Sequence, residues 1–95
     1  VSFNLSPEAA SDIRQIVAYI RRHDPAAAIK LRQQLFEACE RLGKHPAIGH
    51  RRRDLTARDL RFWPVRHWLI AHHGKDPVEI VTVVDARQNL VNLLR

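Results

Sequence analysis

The chain has 95 residues, a formal net charge of +6 and one cysteine, Cys39. That length supports one hydrophobic core and leaves none over for a second, so a single domain over 1–95 is expected. A lone thiol excludes an internal disulfide framework, no apolar run reaches the length of a membrane span, and VSFNLSPEAA lacks the basic-then-apolar order of a signal peptide. A small cytoplasmic domain without membrane contact is the expectation.

Val1–Leu5 alternates apolar and polar residues and predicts a short strand. Ser6-Pro7 then reads as a helix start, with a hydroxyl at the N-cap, proline at the first helical position and Glu8 in the first turn. Ile13, Ile16, Val17 and Ile20 form one apolar stripe up to about Arg22. His23-Asp24-Pro25 repeats the start signal, because Pro25 disfavours a helical Asp24 and Asp24 can cap a second helix. That helix carries Ala28, Leu31, Leu35, Ala38 and Leu42 and is expected to stop at Gly43. A turn this short makes the two helices an antiparallel hairpin.

Past Gly43 the period changes. Leu60–Val65, Trp68–His73 and Val78–Val84 are rich in β-branched and aromatic residues, and Gly74-Lys75-Asp76-Pro77 joins the last two as a hairpin. The tail, Leu90–Leu94, fits either a short helix or a strand. The expected fold is α+β: an N-terminal strand, then an antiparallel helical hairpin packed on a mostly antiparallel sheet of about four strands.

The charge is concentrated. Residues 41–66 hold Arg41, Lys44, Arg51, Arg52, Arg53, Arg58, Arg61 and Arg66 against only Asp54 and Asp59, a surplus equal to the net charge of the whole chain. Such a field steers toward an acidic partner, nucleic acid or protein. HPAIG, residues 45–49, turns the chain toward the sheet, with Pro46 and Gly49 setting the bend. The arginines after it make a partner-binding surface a better reading than a catalytic centre. Arginine keeps its proton, so it clamps carboxylate or phosphate and makes a poor general base.

No constellation for catalysis stands out. His72 and His73 are adjacent on a strand and point to opposite faces. His45, His50 and Cys39 lack a fourth ligand or a paired spacing, so no metal and no cofactor is expected. The glycines, Gly43, Gly49 and Gly74, stand too far apart for a phosphate-cradling loop.

Four segments taken together, LSPEAASDIRQIVAYI, HPAIGHRRRDL, LRFWPVRHWLIAHH and VEIVTVVDARQNL, resemble in order and spacing the RelE/ParE toxins of bacterial type II toxin–antitoxin modules. The resemblance implies a cytoplasmic toxin wrapped by a cognate antitoxin in a hetero-oligomer. Its RelE-like branch cleaves mRNA on the ribosome, using basic residues and a C-terminal tyrosine. Here the only tyrosine is Tyr19, and Leu90 falls about where the C-terminal one would stand. The ParE-like branch, which poisons DNA gyrase by binding it, is the closer one. On that reading Arg51, Arg52, Arg53, Arg58, Arg61 and Arg87 are candidates for the target surface, and no residue is assigned to catalysis. Trp63, Arg66 and Trp68 are candidates for the antitoxin, because Trp63 precedes Pro64 at an expected strand edge. A ribosome-dependent ribonuclease is the second reading, and a non-enzymatic nucleic-acid-binding domain is the third.

Overall fold

Ser6 and Asp24 decide where the helices begin. The Ser6 hydroxyl accepts the Ala9 N–H at 2.9 Å, and an Asp24 carboxylate oxygen accepts the Ala27 N–H at 3.1 Å. Each is followed by a proline at the start of its helix, α1 (Pro7–His23) and α2 (Pro25–Lys44). Asp24 alone separates them, and its N–H closes α1 by bonding the Ile20 carbonyl at 2.8 Å. The computed structural model describes residues 3–87. Val1, Ser2 and the Leu90–Leu94 tail, with its open choice of helix or strand, lie outside them.

The expected stop of α2 at Gly43 is corrected. The helix runs through Gly43, which is buried, to Lys44, and no described glycine has a positive φ. The stop comes from Pro46, which pushes the residue before it out of the helical region: His45 sits at φ −136° and caps the helix. Its N–H bonds the Arg41 carbonyl at 2.9 Å.

Five strands form one sheet: β1 (Phe3–Leu5), β2 (His50–Arg51), β3 (Arg61–Val65), β4 (Trp68–His73) and β5 (Val78–Asp85), in the order β1-β5-β4-β3-β2. The β1–β5 pair is parallel and the other three pairs are antiparallel, so the sheet is mixed and the fold is α+β as expected. The strand beyond the expected four is β2, two residues that pair with Arg61 and Phe62. His50 and Arg51 carry no strand propensity of their own, and only the partner strand defines them.

The helices cover one face of the sheet. Ile13 and Ile16 of α1 and Leu31, Leu35 and Leu42 of α2 pack there with Ile70, Ile80 and Val83. The opposite face has a smaller core of Leu60, Phe62, Leu69, Ala71 and Val81, with Leu55 packed against it. Leu69–Ala71 is therefore buried on both faces, which is why the middle of β4 reads as a continuous apolar run. Leu55 belongs to the long connection between β2 and β3, the stretch that carries the arginines.

β5 extends past β1, and α1 closes the edge it leaves open. The Ser6 hydroxyl donates to the Val81 carbonyl at 2.7 Å. One oxygen of Asp12 accepts both the Thr82 hydroxyl at 2.6 Å and the Val83 N–H at 3.0 Å. A bare strand edge invites pairing with another chain, and here the Ser6 cap and Asp12 of α1 occupy it.

Candidate functional site

Residues 52–60 fold onto the sheet rather than hanging from it. Leu55 packs on the smaller core, Leu60 lies within it, and Thr56 is buried. The backbone closes on itself locally: the N–H groups of Leu55 and Thr56 bond the Arg52 carbonyl at 2.9 and 3.2 Å, and the Leu60 N–H bonds that of Arg58 at 2.8 Å. The Arg58 N–H is accepted by the Thr56 hydroxyl at 3.1 Å. Arg51, Arg52, Arg53 and Arg58 thus project from an anchored backbone, all four exposed. Ordering the backbone before a partner arrives removes part of the entropy cost of binding.

The four are not equally available. Arg51 forms an ion pair with Asp59 at 2.7 Å. Arg52 holds Asp54 through two parallel bonds of 3.0 and 2.8 Å, and the guanidinium keeps the Asp54 carboxyl below its ordinary range. Arg53 and Arg58 have no carboxylate partner among the described residues.

Arg61 is built into the fold. Its position pairs with Arg51 on one side and His72 on the other, so the three side chains share one face of the sheet. Its guanidinium donates to the Gly49 carbonyl at 3.0 Å. A β-carbon on Gly74 would lie 2.8 Å from its Nε and 3.0 Å from its Cδ, so the side chain is clasped between two glycines. His72 beside it is fully buried, neither ring nitrogen has a hydrogen-bond partner, and burial lowers its pKa from the ordinary value.

The remaining candidates lie elsewhere. Arg61 aligns with His72 and Ile80, whereas Trp68 aligns with Val65 and Asp85, so these two rows mark opposite ends of the sheet. Five residues of strand from Ile80 to Asp85 separate them by about 17 Å. Arg87 follows Asp85 and pairs with it at 3.0 Å, which places it away from the other five candidate arginines. Trp63 and Arg66 line one groove beside α2, where Arg66 donates to the Gln34 side chain at 2.9 Å. Trp68 lines a different groove with Asp12 and Asp85. Both tryptophans are half-buried against the helix-side core. Arg66 takes a positive φ of 56° in the tight β3–β4 turn, a conformation that non-glycine residues seldom adopt.

A family model described as the ParE toxin of the type II toxin–antitoxin system parDE matches residues 3–90. The chain belongs to the ParE toxin family. A solved structure titled as the chromosomal ParDE toxin–antitoxin system from P. aeruginosa has the same fold, with a TM-score of 0.76 at 18% identity. The alignment covers 92% of this chain and 97% of that one. No curated protein sequence matches the chain.

In this ParE-family chain Arg53 and Arg58 offer exposed guanidinium groups of the kind that clamp carboxylate or phosphate. Burial pushes the Cys39 thiol up to about 12, which keeps it protonated and unreactive. Gly49 covers the buried His72 ring, and Tyr19 stands exposed on α1, edge-on to His23. Among the described residues no group of three or more His, Cys, Asp or Glu side chains is placed to hold a metal ion, and no helix is long and apolar enough to cross a membrane. A basic face on the helical hairpin, carrying Arg14, Arg21 and Arg32, is absent from the candidates read from sequence. Its signal was there: Arg14 and Arg21 lie seven apart, which is one side of a helix.

Proposed function

We propose that the chain is the toxin of a two-protein module, that it acts in the cytoplasm by binding DNA gyrase, and that a cognate antitoxin neutralises it. Membership of the ParE toxin family supports the module. The anchored basic loop is the single observation that favours binding as the mode of action. Its backbone is pinned by Leu55, Thr56 and Leu60 while Arg53 and Arg58 remain exposed and unpaired with any carboxylate among the described residues. Guanidinium groups on a fixed frame suit carboxylate or phosphate groups on an enzyme surface, and no bond need be made or broken. Trp63 and Arg66, which share a groove beside α2, are the proposed contact for the antitoxin.

The test is induced expression with separate readouts of plasmid supercoiling, the DNA-damage response and bulk translation. Altered supercoiling and filamentation while translation continues are expected. Early translation arrest with codon-positioned mRNA cuts would overturn the gyrase reading in favour of a ribosome-dependent ribonuclease. The antitoxin part is tested by co-purification with the protein encoded beside the toxin.

A further inference from the structure

His72 is the one buried histidine among the described residues, and the turn that leads into the basic loop closes directly over it. The ring has no solvent exposure, and neither nitrogen has a hydrogen-bond partner. Residues 45–49 meet this end of the sheet at two glycines. Gly49 lies against the ring, and a β-carbon on Gly74 would stand 3.3 Å from the Pro46 carbonyl oxygen. The other attachments of the segment are few. Ile48 is half-buried against the helix-side core, and its N–H bonds the His45 carbonyl at 3.2 Å. The Arg61 guanidinium holds the Gly49 carbonyl at 3.0 Å, and β2 pairs with β3 over two residues. The later part of the loop has its own anchor in Leu55 and Leu60 on the smaller core.

We propose that His72 is an acid-sensitive latch for the basic loop: a neutral ring seats the turn, and a protonated ring lifts it off the sheet together with β2. Arg61 of β3 and His73 of β4 supply the charges that act on the ring, and both repel a proton. The β5 partner is Ile80, while the carboxylate next along that strand, Glu79, aligns with His73 instead. The turn sets a glycine against the ring, with His45 and His50 on either side. The His73 backbone favours the proton, but burial opposes it more, and no bond of hydrogen-bond geometry forms. Protonation adds a second N–H to the ring, and the neighbouring Gly49 carbonyl is already engaged by Arg61. A buried imidazolium beside a guanidinium is costly, whereas a ring uncovered by the departing turn is solvated and takes its proton at the ordinary value. The open fraction therefore rises by up to about tenfold for each pH unit below 6.5. Leu55, Thr56 and Leu60 stay on the sheet, so Arg58 keeps its place while residues 51–53 lose their fixed spacing from it. The consequence rests on the reading of the loop as a target surface: in acid the clamp is no longer ordered before its target arrives. The opening itself is read on the toxin alone, so its failure is distinct from failure of the gyrase reading, which binding to gyrase at neutral pH decides.

The experiment is an NMR titration of the full chain from about pH 7.5 to about pH 5, the range in which an imidazole changes charge. It follows the His72 ring, the amides of residues 48–51, and the methyl groups of Leu35 and Ile70 as a report on the core. Ring protonation and movement of the turn amides are expected to share one midpoint below 6.5, with the core methyls unmoved. His72→Leu should abolish the transition of the turn amides, and His72→Gln decides should the leucine variant fail to fold. His45→Gln with His50→Gln should retain it. Turn amides that stay in place while the ring titrates overturn the latch. So does a transition that survives in the His72 variants or vanishes in the His45 and His50 pair. Core methyls that shift at the same midpoint overturn it as well, because the proton then unfolds the whole chain. A ring that stays neutral under a seated turn down to about pH 5 overturns it too.

Discussion

Gly49 lies directly against the imidazole of His72, so closely that the position admits no side chain. A β-carbon there would be 2.9 Å from Cβ of Arg61 and 3.0 Å from Cε1 of His72, with Nε2 nearer still. Its φ is not positive, so the glycine is required by space and not by backbone conformation. The seat holds the HPAIG turn on the end of the sheet, and the Arg61 guanidinium ties down the Gly49 carbonyl from above.

Gly49→Ala is therefore expected to destabilise the fold by about 1–3 kcal/mol, the usual cost of overpacking a site that cannot give way. Urea unfolding of the single variants and of Gly49→Ala with His72→Ala measures the coupling. The alanine should cost less once the ring is gone, though not nothing, because the Arg61 β-carbon remains. Equal costs in both backgrounds would mean that the turn moves freely off the ring.

The same ring predicts a pH dependence. Burial lowers the pKa of His72, and the like charges of Arg61 and His73 act in the same direction. The folded chain thus refuses a proton that the unfolded chain accepts below the ordinary value of 6.5. Stability from this group is complete above that value and falls as the pH drops below it, by at most about 1.4 kcal/mol per pH unit. His72→Leu should flatten the slope of unfolding free energy between pH 6.5 and pH 5, on the order of one proton fewer taken up. An unchanged slope would place the proton uptake on another histidine.

Legibility in the sequence tracks the range of each interaction. Ser6, Asp24, Pro7 and Pro25 act within one helical turn, so both helix starts could be read directly. Pro46 outcompeted Gly43 as the stop of α2 because the proline constraint is covalent, while a glycine only permits a left-handed end. β2 was illegible because its strand character comes from Arg61 and Phe62, ten and more residues away. Gly49 read as a bend residue, since nothing local reveals that His72 occupies the space beside it. Counting charge along the chain located the basic loop, but it treated the remainder as balanced. In space that remainder separates, with Arg14, Arg21 and Arg32 on one side of α1 and Glu8 and Asp12 in the groove on another.

Asp12 illustrates the long-range part. One carboxylate oxygen serves both the Thr82 hydroxyl and the Val83 N–H on the strand edge that β1 leaves open. Asp12→Ala removes the acceptor and leaves a backbone donor uncovered, a loss of about 1–3 kcal/mol. Asp12→Asn keeps one acceptor oxygen and should cost less than half as much. The amide of Val83 would exchange faster in the alanine variant than in the wild type, and that local change separates a lost edge bond from general loosening of the helix.

The arginine loop gives the last prediction, and the structure divides its residues by what already holds them. Arg51 and Arg52 spend part of their charge on Asp59 and Asp54, and Arg61 is bonded to the Gly49 carbonyl. Arg53 and Arg58 have no such partner among the described residues, so they should dominate the approach of an acidic target. Arg53→Glu with Arg58→Glu is expected to slow association about tenfold at low salt and to lessen its salt dependence, with little change in dissociation. Arg51→Glu with Arg52→Glu also sets a carboxylate beside Asp59 and Asp54, and it should disturb the loop itself as well as the approach. Arg53→Lys with Arg58→Lys should retain most of the association rate, because steering needs the charge and not the planar fork. Stopped-flow binding to purified gyrase over a salt series separates these outcomes. If the lysine variant loses activity while its binding is intact, the arginines act on a reacting group rather than on an approaching surface.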